Sequence, residues 1–400
     1  MSHWNEAKIK DFADVKGGKR LPKGKQLIKE HNSHPYIRIR DLGKTKYLQL
    51  TFDYEYVDDE TQKSISRYIV HKGDILISVV GTIGLIGIVG ETLDKANQTE
   101  NCDKIINIKG VLPEYLYYYL KSSFGQDEIK KGTVGAVQPK LPLKNVQDIS
   151  VLYPAMEEQE KIVAILSAID EKIETNEVVN NNLLEQVLAI YRYRFVDTTN
   201  ELRQTCRADE YFDISIGKTP PRKEPQWFST NPKDVTWVSI SDMGTCGLYI
   251  SKSSKQLTRE AVDHHNVKIV PDNTILLSFK LTVGRIAITD GEMTTNEAIA
   301  HFKTNKKEIN EYLYCYLKCF NYQTMGSTSS IATAVNSKII KGMPFVVPTN
   351  EEITEFHSLA APMFAKIKAN QAEISNLTKL RDTLLPKLIS GELDVSDIDI

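Results

Sequence analysis

The feature that most constrains this chain is that it repeats itself. Tyr36-Ile-Arg-Ile-Arg-Asp-Leu-Gly43 matches Trp237-Val-Ser-Ile-Ser-Asp-Met-Gly244 in the pattern aromatic, alternating apolar, Asp-x-Gly. Ile75-Leu-Ile-Ser78 followed by Thr82-Ile-Gly84 matches Ile275-Leu-Leu-Ser278 followed by Thr282-Val-Gly284. Asn97 ahead of Glu100 is read as answering Asn296-Glu297. Glu114-Tyr-Leu-Tyr-Tyr-Tyr-Leu-Lys121 matches Glu311-Tyr-Leu-Tyr-Cys-Tyr-Leu-Lys318, and Val151-Leu-Tyr-Pro154 matches Phe345-Val-Val-Pro348. The offset drifts only from about 201 to about 194, with the order kept. The chain of 400 residues is therefore two copies of one unit of about 200 residues, as expected for a length that exceeds one hydrophobic core.

Each copy has the same grammar. Alternation at Ile37/Ile39 and Val238/Ile240 predicts strands with one buried face. Lys72-Gly73-Asp74 and Pro271-Asp272-Asn273 are turns leading into apolar strands. Gly84 and Gly284 interrupt strand patterns, which predicts a bulge or a close backbone approach. The tyrosines of 114–121 and 311–318 have helical spacing and are expected to face a core. Each globular half reads as mixed α and β.

Beyond the closing proline of each copy the texture changes. Residues 157–195 contain no proline or glycine, and Ile162, Ile165, Leu166, Ile169, Ile173, Val179, Leu183, Val187 and Ile190 form a near-heptad stripe. A helix of that length spans roughly 55–60 Å. The second copy runs from Glu351 to Leu385 through Met363, Ile367, Leu377 and Leu384, with Pro362 expected to kink it or divide its start. Asn176 and Asn370 occupy equivalent places; either both fix register inside a seam or both face solvent. Two such helices in one chain are expected to pair antiparallel and hold the halves at a set distance.

A search for chemistry finds none of its usual frames. There is no Gly-x-x-x-x-Gly-Lys phosphate loop, and Gly81-Thr82-Ile83-Gly84 lacks the third glycine of a dinucleotide fingerprint. Cys315, Cys319 and the pair His264-His265 lack a Cys-x-x-Cys companion, so no metal site is expected. No nucleophile motif frames a serine or cysteine, and no catalytic residue is assigned. Five cysteines do not suggest a disulfide framework, no apolar run approaches a membrane span, and no signal pattern opens the chain, so a cytoplasmic protein is expected.

Charge points to recognition. The total is −2, yet residues 1–150 sum to +4 and 201–350 to +3, whereas 151–200 sum to −5 and 351–400 to −4. Basic globular halves alternating with acidic helices suggest two surfaces for different partners. Each half opens with an irregular basic stretch. Lys16, Lys19, Arg20, Lys23 and Lys25 in the first, and Lys218, Thr219, Arg222 and Lys223 in the second, are candidates to meet phosphates or base edges. Arg38, Arg40, Lys280 and Arg285, on or beside strands, complete the candidate set. The competing reading is a pseudo-symmetric scaffold that joins two protein partners and never touches DNA.

With these residues in place the sequence resembles a specificity subunit of a type I restriction–modification enzyme over essentially its whole length. The carriers are Tyr153-Pro-Ala-Met-Glu-Glu-Gln-Glu-Lys-Ile162 with Ile169-Asp-Glu-Lys-Ile173, and Leu380-Arg-Asp-Thr-Leu-Leu-Pro-Lys-Leu-Ile-Ser-Gly-Glu-Leu393. The Gly-Lys-Thr-Pro stretch entering the second half and the 237–244 block add to them. The resemblance implies an α+β architecture of two target-recognition domains, 1–154 and 199–348. They alternate with helical regions, 155–198 and 349–400, that form an antiparallel coiled coil. It implies that each domain reads half of a split, asymmetric DNA site and that the helices set the unread spacer. The helices would also dock two modification subunits, through residues such as Gln159, Ile162, Ile169, Ile173, Asn176, Leu183, Met363, Ile367, Asn370, Leu377 and Leu384. S-adenosylmethionine, ATP and magnesium would belong to the modification and restriction subunits and not to this chain. Where the first copy has Met156-Glu-Glu-Gln159 the second has Asn350-Glu-Glu-Ile353, so docking on the second copy is expected to differ in detail.

Overall fold

In the computed structural model, which describes residues 4–198, 203–325, 336–396 and 398, both repeats build the same sheets. The chain divides into unit 1, Met1–Glu174 with Ser375–Ile400, and unit 2, Thr175–Ile374. This division falls within both long helices, not at their ends, and the sequence boundary drawn at 198/199 abuts residues 199–202, outside the described residues.

In unit 1 a five-stranded sheet has the order Asp14–Gly17, Cys102–Ile106, Ile75–Ser78, Ile86–Val89, Tyr47–Leu48. Unit 2 repeats it as Asp213–Ile216, Ile299–Lys303, Ile275–Ser278, Ile286–Thr289, Tyr249–Ile250. The central strands are buried on both faces, which explains their unbroken apolar runs. A smaller sheet joins Glu55–Tyr56, Pro35–Ile37 and Asn97–Gln98 in unit 1. Its counterpart in unit 2 gains an edge strand, Phe228–Ser229, where unit 1 has only the isolated bridge Ile28–Tyr56. A two-stranded ribbon closes each unit, Asn5–Lys8 with Ser150–Tyr153 and Gln204–Arg207 with Pro344–Val347.

The tyrosine helices, Pro113–Lys121 and Asn310–Cys319, face the cores as expected. Their hydroxyls tie down the ribbons: Tyr115 and Tyr119 donate to the carbonyls of Leu152 and Ser150, and Tyr312 and Tyr316 to those of Val346 and Pro344. Tyrosine at these positions supplies apolar area and satisfies a strand carbonyl at once.

Three expectations need correction. The alternation at Ile37/Ile39 and Val238/Ile240 does not continue as strand. Ile39–Asp41 is a 3-10 turn and Ile240–Thr245 a helix, because Asp41 and Asp242 accept from the backbone N–H of Arg38 and Ser239 and cap a helical start. Arg38 and Arg40 therefore flank and occupy a turn and are not strand residues. Second, the register pairs Tyr36 with Asn97 and Trp237 with Thr294, so Asn97 answers Thr294 and Glu100 answers Glu297. Third, Pro362 does not divide the start of its helix, which runs unbroken over Asn350–Ile389. Pro362 lies on the exposed face, where water can reach the carbonyl that lacks a helical donor. Gly84 and Gly284 take positive φ, 85° and 90°, in the hairpin loops after Ser78 and Ser278. A Cβ at either would press on the side chain of Gln126 or Tyr322, which is the close approach expected.

The first long helix, Met156–Tyr191, and the second complete both cores. In unit 1, Ile162 and Leu166 pack with Leu385, Leu388 and Ile389; in unit 2, Val187, Leu188 and Tyr191 pack with Phe356, Phe364 and Ile367. The pairing is antiparallel. In unit 2, Asn176, Asn180 and Arg194 bond to Glu373, Asn370 and Glu355 in turn. In unit 1, Lys161 meets the Ser396 carbonyl and Asp170 meets Arg381. Asn176 and Asn370 are 4% and 1% exposed, which resolves the alternative left open: both lie inside the seam.

Ile169, Ile173 and Ile367 are buried, while Leu183, Met363, Leu377 and Leu384 are partly buried. Gln159 is buried and spent internally. It donates to the carbonyls of Gly110 and Pro154 and accepts from Leu112 N–H. Its counterpart Ile353 sits in the apolar core of unit 2, so the departure noted in the sequence exchanges one internal contact for another.

Candidate nucleic-acid interface

The two sequence blocks that repeat most clearly meet at one place in each unit. The glycine-lysine pair after the first strand of the large sheet lies against the loop that follows Asn97–Gln98 or Thr294–Thr295. Lys19 N–H donates to the Gln98 carbonyl, and Lys218 N–H to that of Thr295. A Cβ on Gly18 or Gly217 would run into the backbone carbonyl of Thr99 or Asn296, so only glycine allows this approach. The aromatic residue of the other block completes the junction. Tyr36 Oη donates to the Lys19 carbonyl and Trp237 Nε1 to the Lys218 carbonyl, each at 3.2 Å. A glutamate then bonds the residue after the lysine: Glu100 accepts from Arg20 Nε at 2.7 Å, and Glu297 accepts from Thr219.

Upon this common frame unit 1 mounts arginines. Arg20, Arg38 and Arg40 converge on a cleft of about 370 Å³, with Tyr36, Glu100 and Asn101 in its walls. Each guanidinium is held by a carboxylate. Arg38 and Arg40 share Glu55, Arg40 also donates to the Asp53 carbonyl at 3.1 Å, and Asp41 lies 3.6 Å from Arg40 Nε. A fork fixed in this way loses less freedom when it meets a bidentate acceptor such as a guanine edge. Burial raises the Glu100 pKa, but the hydrogen bonds from Arg20, its own backbone and Thr99 outweigh it and hold the carboxylate below its usual range.

Unit 2 carries serines where those two arginines stand, Ser239 and Ser241. There Glu297 bonds Thr219 and feels the charges of Arg222 and Lys280. Burial works against this carboxylate, yet the Thr219 hydroxyl, its own N–H and the charges of Arg222 and Lys280 lower its pKa. Lys218 adjoins Thr219 in the chain and turns its ammonium to the His265 carbonyl at 2.7 Å.

The structure does not gather the remaining candidates. Lys16 is exposed on the edge strand Asp14–Gly17, opposite Lys104. Lys19 lies over the Tyr68 ring at 5.7 Å, Lys25 is paired with Asp58 and Glu60, and Lys23 and Lys223 are exposed. Arg285 bonds the Ile240 carbonyl at 2.6 Å and supports the 240–245 helix. The residues that orient the cleft, Glu55, Asp41, Glu100 and Glu297, were not singled out in the sequence. Asp41, the acid of the repeated Asp-x-Gly, and Glu100 and Glu297, in the match of Asn97 and Glu100 to Asn296-Glu297, carried a signal there; Glu55 carried none.

A buried chain of polar groups, Ser215–His301–Thr295, runs from the large sheet of unit 2 to its smaller sheet. Thr295 donates to the Asn296 carbonyl, so it accepts from His301 Nε2–H, and Nδ1 then accepts from Ser215. Burial, with the Lys303 charge behind it, lowers the His301 pKa to about 3. Among the described residues no group of three His, Cys, Asp or Glu side chains could hold a metal ion. No helix among them is long and apolar enough to cross a membrane.

Two α/β units on one plan, each with a glutamate bonded to the residue after its Gly-Lys pair and each completed by an antiparallel helix pair, with a cleft of carboxylate-braced arginines in unit 1, are the plan of a duplicated nucleic-acid recognition protein. The chain belongs to the type I restriction–modification DNA specificity family, whose domain matches it twice, over residues 1–186 and 201–376. It is 28% identical over 423 residues to the specificity subunit of the MjaIX type I restriction enzyme of Methanocaldococcus jannaschii, covering 99% of this chain and 94% of that one. It is 23% identical over 454 residues to the HindI specificity subunit of Haemophilus influenzae, covering 91% and 96%. A crystal structure of the type I S subunit from M. genitalium shares the fold, with a TM-score of 0.55 at 17% identity over 97% of this chain and 96% of that one. The chain is a DNA-specificity subunit, which sets the scaffold reading aside.

Proposed function

We propose that unit 1 and unit 2 each read one half of a split DNA site, and that the two half-sites differ in sequence. The observation that carries this is the contrast on a shared frame: Arg20, Arg38 and Arg40 in one unit stand where Thr219, Ser239 and Ser241 stand in the other. Carboxylate-braced arginines favour guanine in the major groove, while hydroxyls accept a wider choice of partners. Phosphate contacts from Lys23, Lys223 and Arg222, all exposed, would set register without adding sequence information.

The paired helices fix the unread spacer. Their acidic outer faces dock two modification subunits, which hold S-adenosylmethionine and methylate adenine. Restriction subunits that use ATP and magnesium join the same assembly. The test is a genome-wide map of methylated adenines in cells that express the chain with its modification partner. A split motif that disappears on deletion of this gene is the expected result. A map unchanged by deletion, with both proteins present and folded, would overturn the reading.

A further inference from the structure

The hairpins after Ser78 and Ser278 share one scaffold. Each serine hydroxyl donates at 2.6 Å to the carbonyl of Thr82 or Thr282 and accepts from the backbone N–H of residue 85 or 285. At the tip both chains turn left-handed, and here the repeats part. Unit 1 has Gly81 at φ 75°, the residue for which that conformation is free of cost. Unit 2 has Leu281 at φ 61°. Thr282 N–H donates back to the Lys280 carbonyl at 2.7 Å, which makes Leu281 the centre of a γ-turn, a strained conformation for a branched side chain.

Its side chain gains nothing from the fold in return, since Leu281 is 100% exposed. The brace from Ser278 keeps the tip in place all the same. The surroundings are basic: Lys280 is next in the chain, and its charge and that of Arg222 both act on Glu297, whose carboxylate accepts from Thr219. An apolar side chain held out at a strained tip and flanked by cations suits a nucleic-acid duplex, whose phosphates meet the cations while the side chain enters between bases.

We propose that Leu281 is the residue unit 2 inserts into its half-site, as an apolar wedge at a base step that unstacks easily, such as a pyrimidine–purine step. This rests on the reading that unit 2 binds DNA. Unit 1, with Gly81 at the same position, inserts nothing there. The two half-sites are then told apart by deformability as well as by base edges.

The experiment uses the assembled complex with its modification subunits and a duplex carrying the motif found by methylation mapping, with 2-aminopurine at successive positions of the unit 2 half-site. Leu281→Gly copies unit 1 and removes the strain, so the variant is expected to melt at the same temperature as the unaltered chain or higher. Its affinity should fall about 10- to 100-fold, the worth of burying one leucine, and the 2-aminopurine signal at one step should be lost. Leu281→Ala should fall between. Binding by Leu281→Gly within twofold of the unaltered chain would overturn the proposal, and so would a lowered melting temperature, which would mean that Leu281 packs on its own chain. Failure of the unaltered complex to bind the duplex would instead overturn the half-site reading itself.

Discussion

His301 makes the stability of unit 2 depend on acid in a way that can be calculated. In the folded chain its ring is neutral, accepts from Ser215 and donates to Thr295, and burial lowers its pKa to about 3. In the unfolded chain it returns to about 6.5. Below pH 6.5 the unfolded state therefore binds a proton that the folded state refuses. The stabilisation is complete above pH 6.5 and is lost progressively as pH falls toward 3. At pH 5 the loss is 1.5 units below the unfolded pKa, or about 2 kcal/mol at about 1.36 kcal/mol per unit. Two of the three tryptophans, Trp227 and Trp237, lie in unit 2, so a Trp4→Phe background reports that unit alone. Urea unfolding followed by tryptophan fluorescence at pH 7 and pH 5, with and without His301→Gln, measures the difference. The substitution is expected to shrink the pH 7-to-5 change by about 2 kcal/mol, whatever it does to absolute stability. Equal pH dependence in the two proteins would refute the buried neutral ring.

Other consequences are equally direct. Asp170 is buried, taking Arg381 Nη1 at 3.0 Å and the Tyr118 hydroxyl at 2.8 Å, so Arg381→Met strands a carboxylate and should cost about 3 kcal/mol in urea unfolding; a loss under about 1 kcal/mol would show the pair to be solvated. Arg40→Ala should weaken binding to the cognate duplex by about 1–3 kcal/mol and relax preference at one base of the unit 1 half-site. A binding curve equally weakened for all sequences would make Arg40 a phosphate contact instead. Inserting seven residues into both helices where the units divide, between Glu174 and Thr175 and between Ile374 and Ser375, should lengthen the spacer in the methylation motif by about three base pairs, from about 1.5 Å of rise per residue and about 3.4 Å per base pair, and leave the half-sites unchanged. A change in the half-sites would end the view that the helices set the spacing.

The repeat made most of this fold readable. Tyr36 and Trp237, the two Gly-Lys pairs and the paired tyrosine helices all occupy equivalent places because each bonds backbone, and backbone geometry recurs with the fold. Strand periodicity failed at Ile39 and Ile240, since a capping aspartate three residues on from Arg38 and Ser239 ends the extended run more decisively than apolar alternation prolongs it. The helix is not divided at Pro362 because the cost of a proline depends on whether its orphaned carbonyl can reach water, which sequence does not state. Single cations such as Lys25 and Arg285 looked like free charges until the folded chain gave them Asp58, Glu60 and the Ile240 carbonyl. The convergence on Glu100 and Glu297 was hidden for the converse reason: it joins segments about eighty residues apart in each unit.

Unit 2 is one continuous stretch, Thr175–Ile374, but unit 1 takes its last core residues, Leu385, Leu388, Ile389 and Val395, from beyond that stretch. On the ribosome, the part made first is therefore the part finished last. At about 5–20 residues per second, the first unit waits on the order of ten to forty seconds with Ile162 and Leu166 uncovered while the second is made. In this order of synthesis a premature stop late in the message leaves one complete reading head and one open core. Such a product exposes an apolar seam of the kind that chaperones and proteases act on.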